Sequence, residues 1–136
     1  MFPPGVVNVL TGDGARIGDA LTGHSLVRRV NFTGSTRVGR MVMRAAAELL
    51  TPLTLELGGI DAAIVLEDAE LNDEVFSRMY WGAFASSGQV CMAMKRLYVV
   101  ESRYDDVVDG LTAACERAVV GDGLLPETLM GPVNNA

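Results

Sequence analysis

Two side chains stand where reactive groups are usually presented. Cys91 ends the stretch Phe84-Ala85-Ser86-Ser87-Gly88-Gln89-Val90-Cys91, and Glu56 lies in Leu55-Glu56-Leu57-Gly58-Gly59. The Ser-Ser-Gly segment delivers the cysteine between a helix-like and a strand-like pattern, and such loops commonly present nucleophiles. Gly88-Gln89 before Cys91 loosen the backbone, and Lys95-Arg96 after it bring positive charge, which favours a thiolate. The plainer reading of Cys91 is a buried, inert thiol, since free cysteine is among the most buried residue types. Glu56 is a lone carboxylate in an apolar run, which is costly unless it is protonated, hydrogen-bonded or paired. It reads either as a base that could activate water or as a strand-end acid paired with an arginine. Together the two residue types suit covalent catalysis, with attack by the thiol and release of the acyl group by water.

The elements that must carry these residues follow from local pattern. Val6-Val7-Asn8-Val9-Leu10 reads as a buried strand, Thr11 to Gly14 as a turn, and residues 15–21 as a helix ending near Gly23. Gly12, Gly14 and Gly18 are one residue too widely spaced for G-x-G-x-x-G and are taken as turn glycines. Val30 to Thr33 reads as the next strand. A helix follows, capped by Ser35 or Thr36, with Val38, Met41, Val42, Ala45, Ala46 and Leu49 on one face and Pro52 closing it. The start of that helix offers unpaired N–H groups to an anion, although Ser35 could equally be a cap and nothing more. Thr54 to Leu57 and Ala62 to Leu66 are strands, with a domain crossover placed at Gly58-Gly59. Asn72 caps a helix bearing Val75, Phe76, Met79, Tyr80 and Ala83 on its apolar side. Leu97 to Val100 is a strand. Ser102 opens a last helix, on which Cys115 has the spacing of a packed core residue. Continuous apolar strands alternating with helices indicate an α/β class with parallel strands.

Composition narrows the function classes. The 136 residues are 49% hydrophobic and 21% charged, which suits a globular core rather than disorder. A net charge of -6 argues against nucleic-acid and anionic-membrane surfaces, and the arginines between Arg28 and Arg44 are read as solvated charges. No apolar run approaches the ~20 residues of a membrane span, no signal peptide is recognisable, and a cytoplasmic location is expected. Two unpatterned cysteines and one histidine predict no metal site.

At these two stretches and at Phe32-Thr33-Gly34-Ser35-Thr36-Arg37-Val38-Gly39, the sequence resembles the NAD(P)-dependent aldehyde dehydrogenase superfamily, over nearly the whole chain and in the family's motif order. The resemblance implies an aldehyde dehydrogenase-like α/β fold. Residues 1–58 would be the C-terminal part of the Rossmann-like NAD(P)-binding domain, and residues 59–136 the N-terminal part of the catalytic domain. It implies oxidation of a small-molecule aldehyde to a carboxylic acid with NAD or NADP, through a thiohemiacetal and a thioester on Cys91. Glu56 would be the general base and the Cys91 amide an oxyanion donor. Gly34, Ser35, Thr36, Gly39, Leu57 and Gly58 would lie against the cofactor.

Ser86 departs from the family's usual asparagine, and Ile60-Asp61 from a common lysine after the double glycine. Other family elements fall outside these residues: a second oxyanion donor, the ribose-binding residues and the oligomerisation strand of the homo-oligomeric full-length relatives. The chain is accordingly read as a central fragment, inactive alone and exposing uncovered sheet edges. The rival readings are an acylating or semialdehyde dehydrogenase that passes the thioester to coenzyme A or phosphate, and a non-catalytic truncated remnant.

Overall fold

The computed structural model describes residues 2–134. The chain divides into two compact units, Met1–Gly58 and Gly59–Ala136.

The first unit contains α1 (Gly14–Thr22), β1 (Val30–Gly34), α2 (Thr36–Ala47) and β2 (Leu53–Leu57). Asp13 caps α1 by accepting the Ala15 N–H at 2.9 Å, a cap within the turn read from the sequence. Ser35 caps α2 through the Val38 N–H at 3.3 Å. β1 and β2 pair in parallel, with Val30 opposite Leu53, Phe32 opposite Leu55 and Gly34 opposite Leu57. α2 packs on both strands and buries Val42 and Ala46. Met41 and Leu49, expected on that face, are 46% and 47% exposed.

Pro52 does not close α2. The helix ends at Ala47, and Leu50 turns left-handed (φ 52°) so that the Thr51 N–H reaches the Ala46 carbonyl at 2.9 Å. Pro52 instead precedes β2, and its carbonyl accepts from the Val30 N–H at 3.0 Å. Residues 6–10 form no strand and are exposed. Among the described residues the sheet of this unit contains β1 and β2 alone, so no ladder takes up their backbone groups.

The second unit contains β3 (Asp61–Val65), α3 (Asp73–Phe84), β4 (Met94–Val99) and α4 (Tyr104–Glu116). Asn72 caps α3 by accepting the Val75 N–H at 3.0 Å, and Asp73 and Glu74 complement the dipole in the first turn. Ser102 lies in a single 3₁₀ turn, and α4 starts at Tyr104 without a side-chain cap. Arg103 steadies this start by donating to the Glu67 carbonyl at 3.0 Å and pairing with Asp106 at 3.2 Å.

α3 packs against α4 around Phe76, Tyr80 and Ala114, with Leu111, Cys115 and Ala118 closing the cluster. Cys115, read from its spacing as a packed residue, is half-buried and packs against this cluster. The helices approach closely because Gly110 faces the Phe76 ring: a Cβ there would lie 2.1 Å from Phe76 Cζ.

β3 and β4 pair in parallel, and β4 begins earlier than its apolar run suggests, at Met94. The register breaks once. Asp61 pairs with Met94 and Ala62 with Arg96, leaving Lys95 as the extra residue of a β-bulge. Ile64 and Tyr98 are 70% and 53% exposed. Parallel sheets are normally covered on both faces, and this two-stranded one presents large apolar side chains to solvent.

Candidate active site

The residues read from the sequence fall into two groups, one on each unit. In the first unit, the C-terminal end of β1 runs through Gly34 and the Ser35 cap into α2. Ser35 Oγ takes the Val38 N–H and the Ser35 carbonyl takes the Gly39 N–H at 2.9 Å. The first-turn amides of Thr36 and Arg37 are left without any helix carbonyl within reach, and they sit at the positive end of the α2 dipole.

Gly39 is buried, and a Cβ on it would come 2.8 Å from Leu57 Cδ2. The missing side chain is what lets α2 settle onto β2. Gly34, Ser35, Thr36, Gly39 and Leu57 are therefore neighbours around one strand-to-helix turn, with exposed Gly58 directly after Leu57. A cavity of about 510 Å³ opens between α1 and α2, lined among others by Gly14, Gly18, Phe32, Arg37, Val38 and Met41. Two of the glycines read as turn formers thus lie at the wall of a cavity.

Glu56 departs from its expected setting. It is exposed on β2, opposite Thr33, while Leu55 and Leu57 are half-buried on the other side of the strand. Strand alternation explains this: in a pleated strand, Glu56 must face away from both of its neighbours. Among the described residues it makes no ion pair, so the arginine partner considered from sequence is absent there as well.

In the second unit, α3 ends at Phe84 and the chain enters a turn that reverses handedness. Ser86 (φ 51°, ψ 43°), Ser87 (φ 58°, ψ 31°) and Gly88 (φ 73°) are successive left-handed residues. Only the last is free of the Cβ penalty. The Gln89 N–H closes the turn on the Ser86 carbonyl at 3.1 Å, and the Ala93 N–H closes the next on the Val90 carbonyl at 3.1 Å. Cys91 sits between these two closures, exposed, with buried Ala93 behind it. Cys91 is therefore not the buried thiol of the plainer reading.

Three side chains hold the loop. Ser87 Oγ donates to the Gly131 carbonyl at 2.9 Å, Gln89 Oε1 accepts the Asn134 N–H at 3.1 Å, and Lys95 Nζ donates to the Gly88 carbonyl at 3.0 Å. Sequence reasoning noted Lys95 only as nearby charge and did not find the tethers to residues 131–134. Gly59, from the double glycine after Glu56, also reaches this loop: a Cβ on it would lie 3.9 Å from the Cys91 carbonyl and 2.9 Å from Asp61 Oδ1. Among the described residues no cluster of His, Cys, Asp or Glu could hold a metal ion, and no helix is long and apolar enough to cross a membrane.

Fold and site together define an α/β protein of parallel strand pairs, with a capped helix start at the end of one strand and an exposed thiol on a tethered loop. Comparison with known proteins gives the family. The profile of the aldehyde dehydrogenase family matches residues 1–136, and the chain belongs to that family. A probable aldehyde dehydrogenase of a Pseudomonas species is 51% identical over 99% of the chain and 27% of its own length. The geranial dehydrogenase of Castellaniella defragrans is 45% identical over 99% of the chain and 28% of its own length. Among solved structures, a mutant of aldehyde dehydrogenase C from Pseudomonas syringae, in complex with NAD+ and octanal, superposes with a TM-score of 0.92 at 34% identity, covering 100% of this chain and 28% of that one. The chain spans about a quarter of the length of these relatives.

Proposed function

We infer that this chain carries the nucleophile and part of the cofactor cradle of an NAD(P)-dependent aldehyde dehydrogenase acting on a small-molecule aldehyde. Residues 1–58 belong in this reading to the cofactor domain and residues 59–136 to the catalytic domain. The observation that carries it is the exposed Cys91 on a loop tethered at Ser87, Gln89 and Lys95. A thiol kept accessible at the cost of left-handed serines has no evident use in packing.

The first unit suits a dinucleotide. The Thr36 and Arg37 amides offer donors to a pyrophosphate, Gly39 lets the helix lie close to β2, and the cavity between α1 and α2 is of a size that takes a small ligand. When bound, an oxidised nicotinamide accepts the hydride that leaves the aldehyde carbon. The protein's residues do the remainder. Cys91 loses its proton to water and attacks the carbonyl carbon as the thiolate, the C–S bond forms as the C=O π pair moves onto oxygen, and the Cys91 amide donates to the resulting oxyanion. After hydride loss Cys91 holds the acyl group as a thioester. Glu56 takes a proton from water, the hydroxide adds to the thioester carbonyl, and the C–S bond breaks to release the carboxylic acid and the thiolate, which takes back the proton from Glu56 and returns the thiol. A free thiol is most readily kept reduced in the cytoplasm, which supports that location.

The test needs no cofactor. With p-nitrophenyl acetate, the Cys91 thiolate displaces p-nitrophenolate and becomes S-acetylated. Peptide mass spectrometry is expected to find the acetyl group on Cys91 and not on Cys115, Cys91→Ser is expected to abolish it, and Glu56→Gln is expected to slow its loss to water. Equal acetylation of the two cysteines, at the rate of a free thiol, would sink the reading and leave the chain a non-catalytic relative.

A further inference from the structure

We propose that Lys95 is a positioning residue for Cys91, aimed by the β-bulge in β4; the inference rests on the nucleophile reading above. Three observations converge on it. Lys95 is the residue that the β3–β4 register leaves unpaired, between the Asp61–Met94 and Ala62–Arg96 pairs. Bulges re-aim a side chain relative to the regular alternation of the strand, and they are over-represented beside active sites. The Lys95 ammonium is directed at the cysteine loop, donating to the Gly88 carbonyl at 3.0 Å and lying 3.5 Å from the Val90 carbonyl. These carbonyls belong to the last left-handed residue of the loop and to the residue directly before the nucleophile.

The chemistry explains why a lysine suits the task. An ammonium carries three donors, so Lys95 can bind the Gly88 carbonyl that ends the left-handed run and reach toward the Val90 carbonyl as well. Ser87 and Gln89 fasten the loop to residues 131–134, and Lys95 fastens it to the sheet. The thiol is thereby fixed between two anchors, as a nucleophile that must meet a carbonyl carbon along one direction requires.

The experiment compares the full chain with Lys95→Met, Lys95→Gln and Lys95→Arg. Hydrogen exchange reads the brace directly, because the Gln89 and Ala93 amides close the turns on either side of Cys91. Loss of the ammonium is expected to speed exchange at these two amides about threefold to tenfold, while the β3–β4 ladder and the urea unfolding midpoint read from the fluorescence of Trp81 on α3 stay unchanged. The same variants are expected to slow acetylation of Cys91 by a similar factor, with Lys95→Arg restoring both readouts.

Unchanged exchange at Gln89 and Ala93 in both Lys95→Met and Lys95→Gln would overturn the proposal, as would faster exchange spread evenly over the unit. The exchange result stands apart from the reaction. If Cys91 of the parent chain takes no acetyl group, the nucleophile reading fails, whereas the brace is still decided by the two amides.

Discussion

The two left-handed serines before Cys91 set up a substitution series whose signs differ at adjacent positions. A non-glycine residue in the left-handed region costs roughly 1–2 kcal/mol, and glycine escapes that cost while losing more chain entropy on folding, about 0.5–1 kcal/mol. Ser86 is exposed, and the hydrogen bond of its turn is accepted by its backbone carbonyl. Ser86→Gly is therefore expected to stabilise the second unit by about 0.5–1 kcal/mol. Ser87 has the same backbone geometry, and its hydroxyl also holds the Gly131 carbonyl at 2.9 Å, a bond worth about 0.5–1.5 kcal/mol. Relief and loss nearly cancel in Ser87→Gly, whereas Ser87→Ala keeps the strain, loses the bond and destabilises by about 1 kcal/mol. The single tryptophan, Trp81, lies on α3 against the Tyr80 ring at 5.5 Å, so its fluorescence reports the unfolding of this unit in urea. With slopes of ~1–3 kcal/mol/M, the midpoint should rise by about 0.2–1 M in Ser86→Gly, hold in Ser87→Gly and fall by a similar amount in Ser87→Ala. A common direction of shift in all three variants would refute the strain argument, since it would mean that the backbone conformation of the two serines is not what the substitutions change.

Two glycines on helices should respond oppositely to alanine. Gly82 on α3 has open space around it and should gain about 0.5–1 kcal/mol in Gly82→Ala from helix propensity, whereas a Cβ on Gly110 would meet the buried Phe76 ring at 2.1 Å, so Gly110→Ala should lose about 1–3 kcal/mol, both read from the Trp81 urea midpoint. In the first unit, Gly39→Ala should push α2 off β2 at Leu57 and speed amide exchange along Leu53–Leu57, and adding Leu57→Ala should recover part of the loss, a non-additivity that independent sites would not show.

What the sequence disclosed was what its local chemistry decides. Ser35 and Asn72 cap by accepting the amides three residues on, and both helices start where those caps place them. Strand pairing is a different kind of fact. Val6 to Leu10 has the composition of a buried strand, yet it stays exposed and unpaired because a strand exists only beside a partner. Glu56 was expected inside an apolar environment because Leu55 and Leu57 flank it, but neighbours in a strand point to the opposite face. The bulge at Lys95 was equally illegible, being a property of the register between β3 and β4 and of neither strand alone. For the same reason the tethers from Ser87 and Gln89 to residues 131–134, more than forty positions along the chain, left no local signal.

One departure from the family pattern acquires a physical meaning from the loop. Ser86 stands where the resemblance has asparagine, and the backbone there is left-handed at φ 51°. Asparagine is several-fold enriched at positive φ, because its short amide can bond to nearby backbone. The turn demands a conformation that the serine only tolerates, and the chain meets that demand through the anchors that follow it at Ser87, Gln89 and Lys95. Ser86→Asn is then expected to raise the Trp81 midpoint as Ser86→Gly does, while keeping the loop's handedness. If it instead lowers the midpoint, the loop is adapted to serine itself, and the difference from the family is a feature of this chain and not a cost that its tethers offset.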